Sequence, residues 1–141
     1  MLSFTELAVS IEEADAYVSE RAYTDWTGTD QAKTAALRRG QDFVCGVYNG
    51  RWSVEFENDD APDGVKFAIV EAARRELVKP GSMSPDLKRG GAIKSVGAGS
   101  ARVEFADGAP AETTFLAIDR LLSGLLVSTS STTVVGFCAR A

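Results

Sequence analysis

Residues 35–52 read Ala35-Ala36-Leu37-Arg38-Arg39-Gly40-Gln41-Asp42-Phe43-Val44-Cys45-Gly46-Val47-Tyr48-Asn49-Gly50-Arg51-Trp52. At about 100° per residue, Ala36, Leu37, Gly40, Phe43, Val44, Val47 and Tyr48 share one face. Arg38, Arg39, Asp42 and Gly46 point the other way. This is an amphipathic helix, and its pattern extends over about residues 30–48. Thr27-Gly28-Thr29-Asp30 forms the turn that leads into it, and Asn49-Gly50 reverses the chain after it. A glycine inside a helix is unfavourable by about 1 kcal/mol against alanine, so Gly40 predicts a close approach by another helix.

Working outward, Ser10 and Glu13 have capping-box spacing. They open a first helix whose apolar stripe is Ile11, Ala14, Tyr17, Val18 and Ala22. Residues 51–61 are irregular, with Trp52, Val54 and Phe56 alternating before an acidic loop, Glu57-Asn58-Asp59-Asp60. Pro62 suits the first turn of a third helix, about 62–79. That helix is apolar over a wide arc: Val65, Ala68, Ile69 and Ala72 form one face, and Phe67, Val70 and Val78 another, around Arg74. One small core does not cover both, so Phe67, Val70, Arg74 and Val78 are expected at a contact between subunits.

A Gly, Pro and Ser loop covers 81–91. Ile93, Val96, Val103 and Phe105 flank Gly97-Ala98-Gly99-Ser100 and predict a β-hairpin near 92–106. A fourth helix is expected over about 113–126, with Phe115, Ile118, Leu121, Leu122, Leu125 and Leu126 on one face. Residues 128–133 are a polar linker, followed by the β-prone Val134-Val135-Gly136-Phe137. The fold class is therefore mainly α: a small bundle of about four helices with one β-hairpin and an extended C-terminal arm. Residues 1–126 form the helical domain and 127–141 the arm, in which Val134, Val135 and Phe137 either pack back on the same subunit as a strand or add a strand to a partner.

The 141 residues fit one domain with a modest core. There is no histidine, which removes the commonest general base and a leading metal ligand. No enzyme is expected, no cofactor, and no metal. Glu12, Glu13 and Asp15 sit at a helix N-terminus, where carboxylates are solvated and dipole-stabilised. Asp59, Asp60 and Asp63 lack the spacing of a calcium loop. Gly90-Gly91 and Gly97-Ala98-Gly99 lack the Lys-Ser of a phosphate loop. Cys45 and Cys138 have no zinc-type spacing and are expected as reduced thiols. No signal peptide or membrane span is indicated. The net charge of −5 disfavours a domain whose main work is gripping phosphates. Arg38, Arg39, Arg51, Arg74, Arg75, Lys88, Arg89 and Lys94 are the basic positions open to a nucleic acid, Arg38 and Arg39 being the candidate contacts, with Trp26, Tyr48 and Trp52 as stacking candidates. The competing reading places Tyr48 and Trp52 against the core and the arginines in surface ion pairs.

Several segments together carry a resemblance. They are Ala14-Asp15-Ala16-Tyr17, Ala36-Leu37-Arg38-Arg39 through Tyr48, Gly50 and Trp52, then Pro62 through Glu71. Lys94-Ser95-Val96, Val103-Glu104-Phe105-Ala106-Asp107-Gly108 and the leucine-rich helix follow. Over about residues 10–126 the chain resembles a phage family labelled DnaT-like single-stranded-DNA-binding, whose members are similar in fold to head–tail connector adaptors. The resemblance implies a structural virion protein, assembled in the host cytoplasm as a ring of about a dozen copies under the portal. Its partners would be the portal protein, a tail-side connector or stopper, and genomic DNA passing through without sequence recognition. The alternative is a single-stranded-DNA-binding accessory protein of a phage.

Overall fold

The computed structural model describes residues 1–86 and 115–128. Its elements are α1 (Ile11–Glu20), α2 (Asp30–Tyr48), a short 3-10 turn (Asn58–Asp60), α3 (Asp63–Val78) and α4 (Leu116–Leu122). The fold is mainly helical, as the hydrophobic periodicity predicts. The hairpin expected near 92–106 lies outside the described residues, and so do the arm residues Val134, Val135 and Phe137.

The local signals act as physical chemistry dictates. The Ser10 hydroxyl accepts from the Glu13 N–H at 3.1 Å, and the Glu13 carboxylate accepts from the Ser10 N–H at 2.9 Å. This reciprocal box satisfies two otherwise orphaned donors at the start of α1. Thr29 caps α2 by accepting from Ala32 N–H, after a turn in which Gly28 takes φ of 121°.

α2 and α3 form the central pair, and Gly40 is the reason they can. A Cβ at that position would stand 2.7 Å from the Ala73 nitrogen and 2.8 Å from the Ile69 oxygen. Only a residue without a side chain allows the two backbones this close. α4 packs on α3 in the same manner, with Gly64 against the Leu121 carbonyl. Leu37 and Val44 of α2, Val65 and Ile69 of α3, and Ile118 and Leu122 of α4 are fully enclosed.

Four expectations are corrected. Ala22 is exposed beyond the end of α1 with φ of 55°, so it is not part of the apolar stripe. Pro62 stands at the N-cap of α3, one position before the first helical turn. The fourth helix is shorter than 113–126: it stops at Leu122, where the Ser123 hydroxyl donates to the Arg120 carbonyl. Leu126 then pairs antiparallel with Trp52, with Ser53 N–H donating to Leu125 O and Val127 N–H to Arg51 O, each at 2.8 Å. Val70 is 1% exposed within its own chain. Apart from the exposed Val78, the apolar arc of α3 is covered within the chain, so Val70 has no surface to offer a second subunit.

Candidate interaction surface

The described residues hold no group of three or more histidine, cysteine, aspartate or glutamate side chains disposed to bind a metal ion. No helix among them is long and apolar enough to cross a membrane. The polar chemistry of the fold is devoted to holding segments together.

The N-terminal segment, residues 1–9, is the clearest case. It has no regular structure, and it is pinned to α2 and the 3-10 turn by three side-chain amides. Gln41 is fully buried on α2. Its Nε2 donates to the carbonyls of Ser3 at 2.7 Å and Glu6 at 2.8 Å, while its Oε1 accepts from the Ala8 N–H at 2.8 Å. Asn49 Oδ1 accepts from the Leu2 N–H at 3.1 Å, and its Nδ2 donates to the Leu2 carbonyl at 2.9 Å. Asn58 Oδ1 accepts from the Ser3 N–H at 2.8 Å. The N-terminal ammonium donates to the Phe56 carbonyl. A backbone strap with no sheet partner needs side chains to satisfy it, and amides supply donor and acceptor together. Leu2 and Val9 anchor in the core while Met1 and Phe4 project outward, 65% and 60% exposed.

A second polar centre joins α1 to α3. Glu71 is buried; its carboxylate accepts from the Tyr17 hydroxyl at 2.8 Å and from Arg75 at 3.0 Å and Arg74 at 3.2 Å. Burial alone pushes the Glu71 carboxyl up, but the bonds from Tyr17 and Arg75 and the two guanidinium charges outweigh it and hold the group below its ordinary value. Burial and the Glu71 carboxylate push the Tyr17 phenol up. Two further ion pairs fasten α1, Glu13–Lys66 at 2.9 Å and Asp15–Lys33 at 3.1 Å. Asp15 also accepts from the Trp26 indole at 2.8 Å, so it is an anchoring residue and not merely a solvated one.

Glu76 closes the end of α3. Its carboxylate accepts from the N–H groups of Gly81 at 2.8 Å and Met83 at 2.9 Å, and from Arg39 at 2.9 Å. Burial raises this carboxyl, and the three donors more than reverse that, so it too lies below its usual range.

The candidate site residues fall into this framework. Arg38 donates to Asp42 at 3.1 Å and to the Ser3 carbonyl at 3.1 Å, bracing the strap. Arg39 is held by Glu76. Arg74 pairs with Asp25 at 3.0 Å and lies 3.6 Å over the Tyr23 ring. Phe67 packs against the Tyr17 ring at 4.8 Å between centroids. Val78 alone of the four candidate subunit-contact residues is exposed, at 64%. The stacking candidates are interior: Trp26 and Tyr48 are buried, and Trp52 is half-buried between Tyr48 and Phe56. The sequence reading passed over Gln41, Asn49 and Asn58. Its one available signal was a glutamine among the alanine, leucine and glycine of an apolar helix face.

Residues 50–141 match the model of the family described as "Putative DnaT-like ssDNA binding protein", and the chain belongs to this family. The match begins at Gly50 and includes the tail, whereas the resemblance was expected over about residues 10–126. No curated protein and no solved structure matches the chain.

Proposed function

We propose that the chain is a structural protein of a phage particle, a head-to-tail adaptor that binds under the portal as a ring and extends the channel through which DNA passes. The observation that carries this reading is the commitment of the described cations to the fold itself. Lys33, Arg38, Arg39, Lys66, Arg74 and Arg75 all pair with carboxylates of the same chain. Arg21 and Arg51 lie over tyrosine rings. The described residues hold 17 carboxylate side chains against 10 cationic ones. A conduit that lets DNA pass needs a surface that does not grip phosphate, and an acidic body with paired arginines supplies one.

The second reading, a single-stranded-DNA-binding accessory protein, is favoured by the family's description and by Lys88, Arg89, Lys94 and Arg102 within the matched span. Fluorescence anisotropy with a labelled oligonucleotide at physiological salt separates the two. The adaptor reading expects no appreciable binding, together with co-sedimentation with the portal protein of the same phage. A tight affinity that falls steeply with salt, and no portal binding, would replace it with the second reading.

A further inference from the structure

Two exposed apolar surfaces of opposite charge lie on different flanks of α2. The first is the strap face. Met1 and Phe4 project from a segment whose backbone is held at Leu2, Ser3, Glu6 and Ala8 by Gln41, Asn49 and Asn58. Val54 is also exposed, at 41%. Beside them, Glu55, Glu57, Asp59 and Asp60 are exposed and make no ion pair with the described residues. An exposed aromatic on a firmly pinned backbone is preorganised, so a partner meets it without the entropic cost of ordering a loose end.

The second is the outer face of α4. Leu116 is 58% exposed, and Arg120, one turn further on, is exposed too. Arg120 and Lys79 are the two described cations with neither an ion pair nor an aromatic ring beneath them. Lys79 follows the exposed Val78 at the end of α3. The flanks are fixed by α2: Gln41 faces the strap, whereas Phe43 meets Phe115 edge-on at 5.7 Å at the start of α4. Two positions along a helix are about 200° apart around its axis.

We propose that the strap face of one copy docks on the α4 face of the next, with Phe4 against Leu116 and the Glu57–Asp60 turn against Arg120. The occupant is a second copy because the two surfaces complement each other in charge, and the strap face presents Met1 and Phe4 where the α4 face presents Leu116. The two surfaces differ from each other, so the contact is heterologous, and repeated heterologous contacts make a ring or a filament. This contact gives the ring of the adaptor reading its residues, and it rests on that reading for its closed form only.

The test uses the full chain at several concentrations in sedimentation velocity. Wild type is expected to associate, more weakly as salt rises. Glu57→Lys with Asp60→Lys is expected to weaken association at least tenfold, and Arg120→Glu to do the same, each with an unchanged far-UV circular dichroism spectrum. Because the surfaces are different, mixing the two variants restores association, since the intact α4 face of one meets the intact strap face of the other. Wild type that stays monomeric, or a mixture that stays monomeric, would overturn the proposal. Association through these residues without portal binding would keep the contact and remove the adaptor reading. Portal binding by copies that never touch through them would do the reverse.

Discussion

Gly40→Ala and Gly46→Ala place the same methyl group in the same helix, and the structure gives them opposite signs. At Gly40 the new Cβ would sit 2.7 Å from Ala73 N, 2.8 Å from Ile69 O and 3.0 Å from Ala73 Cα. All three are backbone atoms, so no side chain can swing aside. An ordinary contact needs about 3.4 Å or more, so α2 and α3 would have to separate by about 0.7 Å along the central seam, where Leu37, Val44 and Ile69 interlock. Overpacking of this kind costs about 2–3 kcal/mol. Better helix propensity returns about 1 kcal/mol. The net loss is about 1–2 kcal/mol, or roughly 3–7 °C in Tm for a chain of this size. At Gly46 nothing lies within 4 Å, so only the propensity gain remains, about 0.5–1 kcal/mol and a rise of about 2–3 °C. Urea and thermal unfolding of both variants, followed by circular dichroism, measure the pair. A Gly40→Ala protein as stable as Gly46→Ala would refute the close approach of α2 and α3.

Gln41→Ala leaves the Ala8 N–H and the Ser3 and Glu6 carbonyls without their partner and is expected to lose about 2–3 kcal/mol in urea unfolding. The Cys45 thiol lies under the strap, donating to the Ser3 carbonyl at 3.4 Å, and burial pushes it up to about 11. In a Cys138→Ser background it should therefore resist maleimide at pH 7.5, and Gln41→Ala should speed its labelling at least tenfold; fast labelling of the parent would contradict a pinned strap. Glu71 and Glu76 are held below their unfolded value of 4.5, so the stability they contribute is fully present above that value and is lost as pH falls through the lower folded ones. Glu71→Gln, which leaves the two guanidinium groups without their buried carboxylate, should lose about 3–5 kcal/mol at pH 7 and give a shallower acid limb in a Tm-against-pH series.

What was legible in the sequence follows from what the signals depend on. Ser10 with Glu13, Thr29, and the 3.6-residue stripe of α2 act within a turn or two of themselves, so the helices they define were readable. Gly40 was readable as a close approach because a glycine inside a helix has a known penalty and few reasons to be kept. The width of the apolar arc on α3 was also readable, but its meaning was not. Whether Val70 faces a neighbouring subunit or is covered within its own chain depends on elements distant in sequence, and Leu116–Leu122 lies 46 to 52 positions after it. The strap was illegible for the same reason. Its partners Gln41, Asn49 and Asn58 are separated from it by 33 to 55 positions, and each amide alone reads as an ordinary polar residue.

The family's description and the electrostatics of the helical body bear on different residues, and this decides how a DNA experiment must be built. Arg39 already spends its Nε and Nη2 on Glu76, whose side chain is 4% exposed, and a phosphate that drew it away would leave that carboxylate in the interior with one donor fewer. For Arg38 to reach a phosphate it must leave both Asp42 and the strap carbonyl. A phosphate contact that first breaks a pair of equal kind adds little affinity, because the counterion it releases is matched by the carboxylate it strands. Arg38→Ala and Arg39→Ala therefore change stability before they change DNA affinity, and a weakened gel shift from either would report loosening of the fold. Lys88, Arg89, Lys94 and Arg102 fall inside the matched span 50–141. If the DNA-binding reading holds through these four, alanine at all of them should abolish most salt-dependent affinity while leaving the unfolding transition in place, and an affinity that survives that change would have to come from other cations, Lys79, Arg120 and Arg140 before the paired arginines.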